Sequence, residues 1–264
     1  MDILVCVKQV PSVSEGRLDR KTGTLLRSDL PAVLNPYDSR ALEMALRLRD
    51  NVGGTIRVLT MGPASAVAVL REAVAMGADS AILVSDSRFA GADAVATAYT
   101  LSQAIRTQPQ PDLIVCGRQS TDGDTGQVSG ALAAFLDLPF ASGVDTIAVD
   151  ETDMLLLEQR MGIHRIRAAY PPPCVISVEN EAAIPRIPSL RRRLSAGSAP
   201  VIRLTLEDFP DTDPSRYGAA GSATRVVRTY RPPETVGKAL LLEASLSPQS
   251  LLDLILGKEA PSDV

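Results

Sequence analysis

Short apolar runs alternate with amphipathic segments along the first two-thirds of the chain. The apolar runs predict β-strands over 3–10, 55–62, 80–86 and 111–117. Between them, apolar side chains recur at helical spacing and predict helices over 35–50, 64–77, 91–107 and 124–137. Strands separated by helices in this way are joined by right-handed crossovers and form a mostly parallel sheet. The pattern therefore predicts a doubly wound α/β fold.

The pattern changes after Ile147. The segment "MLLLEQRMGIHRIRAAYPPPCVISV" predicts consecutive strands, two of them joined in a hairpin through Met161-Gly162. A long polar loop is expected over 11–34, an irregular Pro-, Arg- and Ser-rich stretch over 180–235, and a last helix over about 246–257. The apolar stripe of that helix has little sheet left to cover. We therefore expect residues 1–180 to form the core domain and 181–264 to form an extended arm on a partner chain.

Composition excludes several classes of function. The 264 residues carry a formal net charge of -4, which argues against nucleic-acid binding, and no apolar run approaches the ~20 residues of a membrane span. The first residues predict a strand rather than a signal peptide. The three cysteines lie in apolar runs without metal-binding spacing, which indicates buried thiols in a reducing cytoplasm. A single histidine leaves little material for a metal site.

Three of the predicted strand ends carry unusual turns. They are Asn35 to Asp38, Met61 to Pro63, and the Gly-rich loop 117–130. Ligands of open α/β sheets bind at the carboxyl ends of the strands, so these turns are expected to converge on one crevice. The start of the following helix would offer unpaired N–H groups and hydroxyls to a phosphate, and Gly123 and Gly126 would let the backbone approach it closely.

Two carboxylates in this loop need a different explanation, because a carboxylate repels a phosphate. Asp124 is expected to cap the helix and complement its dipole. Asp122 is expected to accept hydrogen bonds from ribose hydroxyls or an adenine amino group. An alternative stays open, in which both residues only turn the chain into the helix, because a short Gly-rich loop is a weak signal.

The sequence offers little material for catalysis. It contains no GxGxxG, GxxxxGK[ST] or GxSxG motif. His164 lies in a strand-like stretch and is expected on a surface or hairpin rather than as a general base. Lys8 ends the first strand and either faces the crevice or is simply solvated. We therefore expect a nucleotide-holding protein, and not an enzyme with bond-making residues of its own.

Several segments together resemble the β subunit of electron transfer flavoproteins, from Met1 to about Pro200. The matching pieces are "ILVCVKQV", "LNPYDSRALEMALRLRD", "MGPASA", "AMGADSAILVSD", "PDLIVCGRQSTDGDTGQV" and "PRIPSLRRRL". The resemblance implies an adenine nucleotide-binding α/β domain over 1–180. It also implies that 181–264 forms a recognition loop and an arm that docks on a homologous α subunit.

The resemblance further implies cofactors and partners. The α subunit would carry most of an FAD, and this chain would cover part of that flavin and hold an AMP or a second FAD. Electrons would arrive from a flavin dehydrogenase, through a recognition loop anchored by Leu190, and leave to a membrane quinone reductase or another acceptor. The implied nucleotide-site residues are Cys6, Asn35, Pro36, Tyr37, Asp38, Met61, Asp122, Gly123, Asp124, Thr125, Gly126, Gln127, Val128, Ser129 and Gly130.

The chain departs from the housekeeping members of that family in two places. "DGDTGQ" stands where those members carry a more acidic, Asn-containing loop and bind AMP. It resembles the members that hold a second FAD, including those that bifurcate electrons, so we expect FAD rather than AMP here. After Leu190 the chain reads "RRRLSAGSAPV" instead of a Lys-rich stretch.

Two other classes of protein share this kind of fold. An adenine-nucleotide α-hydrolase acting on ATP would need a glycine- and serine-rich loop directly after the first strand. The segment "KQVPSVSEGRLD" has no glycine cluster. A universal-stress-like nucleotide-binding module is the second alternative, and the recognition loop favours the electron carrier over it.

Overall fold

The computed structural model of the chain describes residues 1–12, 32–225, 227 and 247–256. The chain divides into two compact units, Met1–Arg225 and Val226–Val264. Most of the predicted polar loop 11–34 lies outside the described residues, as does most of 226–246. Among the residues described, no helix is long and apolar enough to cross a membrane.

Within these residues one nine-stranded sheet has the order β11-β5-β4-β1-β6-β10-β7-β8-β9, and β2 and β3 form a separate pair. The strands are β1 Asp2–Cys6, β2 Gln9–Pro11, β3 Ala32–Leu34, β4 Thr55–Met61, β5 Ser80–Val84, β6 Leu113–Gly117, β7 Phe140–Val149, β8 Leu155–Met161, β9 His164–Tyr170, β10 Cys174–Val178 and β11 Val201–Leu204. Neighbouring strands are parallel from β11 to β7, and only β8 and β9 are antiparallel additions. The predicted doubly wound, mostly parallel α/β fold is confirmed.

Helices cover both faces of this sheet. The helices are α1 Pro36–Val52, α2 Val67–Met76, α3 Ala94–Arg106, α4 Val128–Leu136, α5 Leu190–Ala196, α6 Gly218–Gly221 and, in the second unit, α7 Pro248–Ile255. Side chains of β1 alternate between two buried clusters, because successive residues of a strand point to opposite faces. Ile3 and Val5 join the cluster that contains the apolar residues of α1 and α2, and Leu4 joins the cluster of α3 and α4.

The order of the strands reverses beside β1. The chain passes from β1 through α1 and α2 to β4 and β5 on one side, and α3 then returns it to β6 on the other side of β1. The carboxyl ends of β1 and β6 consequently have helices leaving in opposite directions. A crevice opens at such a reversal, and it is where open α/β sheets bind their ligands.

Some boundaries differ from those expected from the pattern. The predicted strand 3–10 is interrupted at Val7 and Lys8, and the helix predicted from 124 begins only at Val128. The hairpin through Met161-Gly162 is confirmed, but β7 was not predicted. Gly143 in β7 has a φ of +65°, and the registers of β7 with both neighbours shift near it. Such a bulge breaks the alternation of side chains that reveals a strand.

The first compact unit continues past the predicted boundary at residue 180. β11 pairs with β5 and extends the sheet by one strand. Beyond it, the rings of Phe209 and Tyr217 pack on Phe89, with centroids 5.4 and 5.5 Å apart, and Tyr217 also contacts Tyr99. This aromatic cluster fixes the segment that leads to Thr224 against α3. The predicted last helix is confirmed as α7 within the second unit.

Candidate functional site

A cavity of about 550 Å³ lies at the carboxyl ends of β1, β4 and β6, on the side of the sheet covered by α3 and α4. Its size falls within the ~300–1,000 Å³ typical of small-molecule sites. Apolar and sulfur-bearing side chains of the strands form its floor, namely Cys6, Leu59, Met61 and Cys116. The start of α3, the loop 117–127 and the start of α4 form its rim.

The cavity brings together ten of the fifteen nucleotide-site residues expected from the sequence. They are Cys6, Asn35, Asp38, Met61, Gly123, Thr125, Gly126, Gln127, Val128 and Ser129. Tyr37 instead lines a neighbouring polar cleft of about 290 Å³, together with Arg118 and Gln119. Gly130 lies against the ring of Phe140.

Asp38 lies at the centre of the framework that supports the cavity. It belongs to the first turn of α1 and is almost fully buried. Its Oδ2 accepts a hydrogen bond from the backbone N–H of Lys8 at 2.7 Å. Burial raises the pKa of Asp38 to about 7, although hydrogen bonds from Asn35, Lys8 and Gly117 oppose the rise. This one carboxyl group therefore joins the ends of β1 and β6 to the start of α1.

Gly117 ends β6 at the closest approach between that strand and α1. A Cβ built on Gly117 would overlap the Asp38 carboxylate and would lie 2.7 Å from the carbonyl carbon of Tyr37. Only a residue without a side chain fits this position, because two of the nearest atoms belong to a helix backbone that cannot turn aside.

Asn35, which precedes α1, holds the candidate phosphate-binding loop 117–127 in place. Its Nδ2 donates to the carbonyl of Gln119 at 2.9 Å, and its Oδ1 accepts from the backbone N–H of Thr121 at 3.4 Å. The Asn35 backbone N–H in turn donates to the carbonyl of Lys8 at 2.9 Å. The turn before α1 thus ties the end of β1 to the loop after β6.

The structure corrects the role expected for Asp124. α4 begins at Val128 with Gln127 as its capping residue, and no side chain caps it. Asp124 has a φ of +52°, its backbone N–H donates to the carbonyl of Ser120 at 2.9 Å, and its carboxylate accepts from the Gln119 side chain. The expectation of a helix cap was therefore wrong. Asp124 instead turns the loop in a left-handed conformation that aspartate tolerates better than most residues.

The N-terminus of α4 fits an anionic ligand. The first helical hydrogen bond is donated by Ala131 to the carbonyl of Gln127 at 3.1 Å, so the N–H groups of the preceding turn have no helical acceptor. The Ser129 hydroxyl is buried in this turn at the cavity and has no hydrogen-bond partner. Gly126, with a φ of +62°, keeps the approach to this turn free of a side chain. A buried hydroxyl without a partner beside free N–H groups is suited to a phosphate.

Asp122 does not line the cavity, because the Lys8 side chain lies between Asp122 and the cavity. The Lys8 ammonium contacts both carboxylate oxygens of Asp122, at 2.7 and 2.8 Å, and the Ser120 hydroxyl at 3.4 Å. Partial burial favours the neutral acid, but the hydrogen bonds from Lys8 and Ser120 outweigh it and hold the pKa of Asp122 below its usual value. The pair is ionised, and its positive member lines the cavity.

The buried Cys116 thiol on the cavity floor is poorly suited to nucleophilic chemistry. Cys6 and Cys116 are directly opposite each other on β1 and β6. The hydrogen bond to Cys6, reinforced by burial, raises the pKa of Cys116 well above its usual value, and burial raises that of Cys174 to about 11. His164 lies exposed on β9, as expected. Among the described residues no cluster of three or more potential ligands could hold a metal ion.

Some residues of the rim were missed by reasoning from the sequence. Asp93 caps α3, accepting from the N–H of Ala96 at 2.9 Å, and its second oxygen accepts from the N–H of Thr224 at 2.8 Å. The Asp before an Ala-rich helix is a recognisable capping signal. Thr224 gives no such signal, because it reaches the cavity only through the folding of a distant segment.

The segment 181–196 presents a second candidate surface. Leu190 begins α5 and is 73 % exposed, and Leu194 one turn later is 72 % exposed. Ile184 and Ile187, which reasoning from the sequence did not single out, are 83 % and 88 % exposed. Arg192 holds α5 in place by donating to the carbonyl of Met76 at 3.2 Å. The four apolar side chains therefore stand out from a fixed support.

Comparison with known proteins agrees with this architecture. The family model described as "Electron transfer flavoprotein domain" matches residues 22–209. The chain is 41 % identical over 232 residues to the electron transfer flavoprotein subunit beta of Thermoanaerobacterium thermosaccharolyticum, covering 88 % of each chain. It is 38 % identical to the caffeyl-CoA reductase-Etf complex subunit CarD of Acetobacterium woodii, covering 91 % of this chain and 92 % of that protein.

A further relative matches nearly the whole chain. Protein FixA of Bradyrhizobium diazoefficiens is 38 % identical over 264 residues, which cover 97 % of this chain and 91 % of that protein. The family match over residues 22–209 includes strands β3 to β11, the loop 117–127 and the exposed segment 181–196. The chain belongs to the electron transfer flavoprotein family, as a β subunit with a role in electron transfer.

Proposed function

We propose that the 550 Å³ cavity holds an adenine nucleotide, and that this nucleotide is a second FAD rather than AMP. The observation that carries the proposal is the buried Ser129 hydroxyl, which lacks a partner at the start of α4, inside the cavity and at the reversal of strand order. A helix N-terminus at this point offers N–H groups and a partial positive charge to a phosphate. Lys8 neutralises the loop carboxylate Asp122, and the other loop carboxylate, Asp124, faces Gln119 and does not line the cavity.

Different residues around the cavity would bind different parts of the nucleotide. The first turn of α4 would take the phosphates. The apolar floor of Leu59, Met61 and the two cysteines suits a flat aromatic base. Gly126 leaves open the space that a longer ligand needs, since a Cβ there would meet nothing closer than the Arg118 carbonyl at 3.6 Å. Asp38 and Asn35 would hold the ends of β1 and β6 and the loop after β6 in place without contacting the phosphates.

A bound flavin would supply the redox chemistry, and the protein would position it and tune its potential. The Cys116 thiol on the floor is kept protonated, because its hydrogen bond to Cys6 and its burial raise its pKa. We therefore propose that this subunit carries electrons without catalytic residues of its own. A second flavin would let the complex divide electrons between two acceptors, which is electron bifurcation. The cytoplasmic location stays a prediction.

The proposal about FAD is tested by releasing the nucleotides of the complex. We expect the heterodimer with its α subunit, denatured and separated by chromatography, to release two FAD and no AMP. One FAD and one AMP per heterodimer would show that the cavity is an AMP site. Absence of any adenine nucleotide beyond the FAD of the α subunit would contradict the proposal altogether.

The Gly126→Asn variant should lower the flavin content from about two towards one per heterodimer. Asparagine accepts the left-handed backbone of this position better than most residues, so the main effect is the added side chain in the approach to α4. Flavin is measured by absorbance against protein concentration. The matched control is Gly162→Asn, which has the same φ of +62° in the β8–β9 turn, with no atom within 4 Å of its Cβ. Equal flavin content in both variants would remove Gly126 from the site.

We propose that the arm 181–264 docks on the α subunit and that Leu190 anchors a partner flavin dehydrogenase. Electrons would then leave to a quinone reductase or another acceptor. A relative named as a subunit of a caffeyl-CoA reductase-Etf complex supports an assembly with a partner enzyme. The exposed position of Leu190 on a helix held by Arg192 supports the anchor.

The Leu190→Ala variant should slow electron transfer from a cognate dehydrogenase about tenfold, while flavin content stays normal. An exposed leucine that fills a partner's pocket is typically worth ~2 kcal/mol or less of binding free energy. Stopped-flow reduction of the complex measures the effect. Leu156→Ala, at a half-exposed leucine of β8 outside the arm, serves as the control and should leave the rate unchanged. If the two variants transfer electrons equally fast, Leu190 is not the anchor.

A further inference from the structure

The loop 117–127 combines a candidate phosphate site with an excess of carboxylates. Asp122 and Asp124 both belong to it, and an uncompensated carboxylate near a phosphate weakens binding through like-charge repulsion. The Asp124 carboxylate faces Gln119, which is neutral and cancels no charge. The start of α4 supplies only partial charge. The loop alone is therefore a poor site for an anion.

Lys8 supplies the missing charge from a different part of the chain. It follows the end of β1, 114 residues before Asp122, and contacts both carboxylate oxygens of that residue. The Lys8 backbone is itself fixed, because its N–H donates to Asp38 and its carbonyl accepts from Asn35. The framework of the cavity therefore fixes the Lys8 main chain, from which the side chain reaches Asp122.

Other charged groups of the cavity do not take this role. Arg118, the second cationic residue of the lining within the described ranges, donates to Glu179 at 2.6 Å. The Asp93 carboxylate is occupied by the N–H groups of Ala96 and Thr224. Lys8 thus lies between the cavity and Asp122, whereas the carboxylates that line the cavity, Asp38 and Asp93, have hydrogen-bond donors of their own.

We propose that Lys8 is a specificity-determining residue that lets the acidic loop accept a phosphate by neutralising Asp122. It thereby sets the preference of the cavity for phosphorylated over unphosphorylated adenine compounds. The inference rests on the proposed function, because it assumes that the cavity binds an adenine nucleotide. It goes beyond that function, because it assigns to Lys8 and Asp122 a joint effect on whether the cavity prefers charged or uncharged ligands.

The test measures the affinities of AMP and of adenosine for the full chain in complex with its α subunit, after bound nucleotide has been removed from the cavity. We expect Lys8→Gln to weaken AMP about tenfold and adenosine less than twofold, because only AMP meets the uncovered Asp122 charge. Adding Asp122→Asn to Lys8→Gln should restore most of the affinity for AMP. Arg167→Gln removes a cation from an ion pair outside the cavity and should change neither affinity.

Each contrary result has a distinct meaning. Equal weakening of AMP and adenosine by Lys8→Gln would show a structural role and overturn the inference. A double variant as weak as Lys8→Gln alone would also overturn it, because removal of the Asp122 charge would then have no effect. If the unaltered complex binds neither compound, the proposed nucleotide site fails and the inference with it. If the unaltered complex binds AMP normally, either of the first two results removes only the inference.

Discussion

Replacing Gly117 by alanine should both destabilise the protein and empty its cavity. The new Cβ would lie 2.7 Å from the carbonyl carbon of Tyr37 and 2.8 Å from the backbone nitrogen of Asp38, inside the first turn of α1. Overpacking of a fixed backbone typically lowers the free energy of unfolding by ~1–3 kcal/mol. The displaced Asp38 would also release Lys8 and Asn35. Urea unfolding and the nucleotide content of the purified complex measure the two effects.

Gly62→Ala provides the matched control for this variant. Gly62 likewise follows the carboxyl end of a central strand, but a Cβ there meets only the methyl group of Ala66, at 3.2 Å. That group lies on a side chain at the start of α2 and can shift by a few tenths of an ångström. We expect a change in stability below ~1 kcal/mol and an unchanged nucleotide content. A Gly117→Ala protein that resembled this control would show that the approach of β6 to α1 is not tight.

The stability of the protein should fall between pH 5 and 8 because of Asp38. The pKa of Asp38 is about 7 in the folded protein, against 3.8 for the ordinary side chain, so the folded state retains a proton that the unfolded chain has lost. A raised pKa of this kind favours folding fully below pH ~4, and the contribution disappears as the pH rises through 7. Relative to Asp38→Asn, the free energy of unfolding should decrease by about 3 kcal/mol between pH 5 and 8, because about two pH units separate pH 5 from the pKa of the folded state.

The measurement is urea unfolding of the full chain and of Asp38→Asn at pH 5, 6, 7 and 8. Asparagine cannot ionise, so its curve lacks the contribution of this group. Asp150→Asn serves as the control, because hydrogen bonds from Thr152 lower the pKa of Asp150 and leave it charged at each of these values. A difference between the unaltered protein and Asp38→Asn that stays constant with pH would contradict a raised pKa for Asp38.

The alternating pattern predicted the central strands and their helices well, because the sheet is buried on both faces there. Residues 113–116, for example, are buried and flanked by turn residues, so strand β6 is visible in the sequence. The pattern failed for β7, where Gly143 introduces a bulge. It also failed for β11, an edge strand whose Ile202 is half-exposed and gives no clear periodicity.

In the candidate site, too, local features were predicted from the sequence and contacts between distant residues were not. The turns at 35–38, at 61–63 and after 117 were recognisable, since turn chemistry is a local property. The partners of their side chains were not. Lys8 could be read as a solvated lysine until the structure placed it against Asp122, and Asp124 was expected as a cap until α4 was found to begin at Val128. Thr224 reaches the rim only because the aromatic cluster carries its segment there.

The sequence by itself determined the class of fold, the family and the strand ends that carry the candidate site. These depend on periodicity and on short motifs, which are set by neighbours within a few residues along the chain. Only the tertiary structure decided which charges meet, which glycine is enclosed by a helix and which carboxyl group is buried. Those properties depend on atoms far apart in the chain, as with Lys8 and Asp122, and the free energy of a charge or a hydroxyl is decided by its surroundings in space.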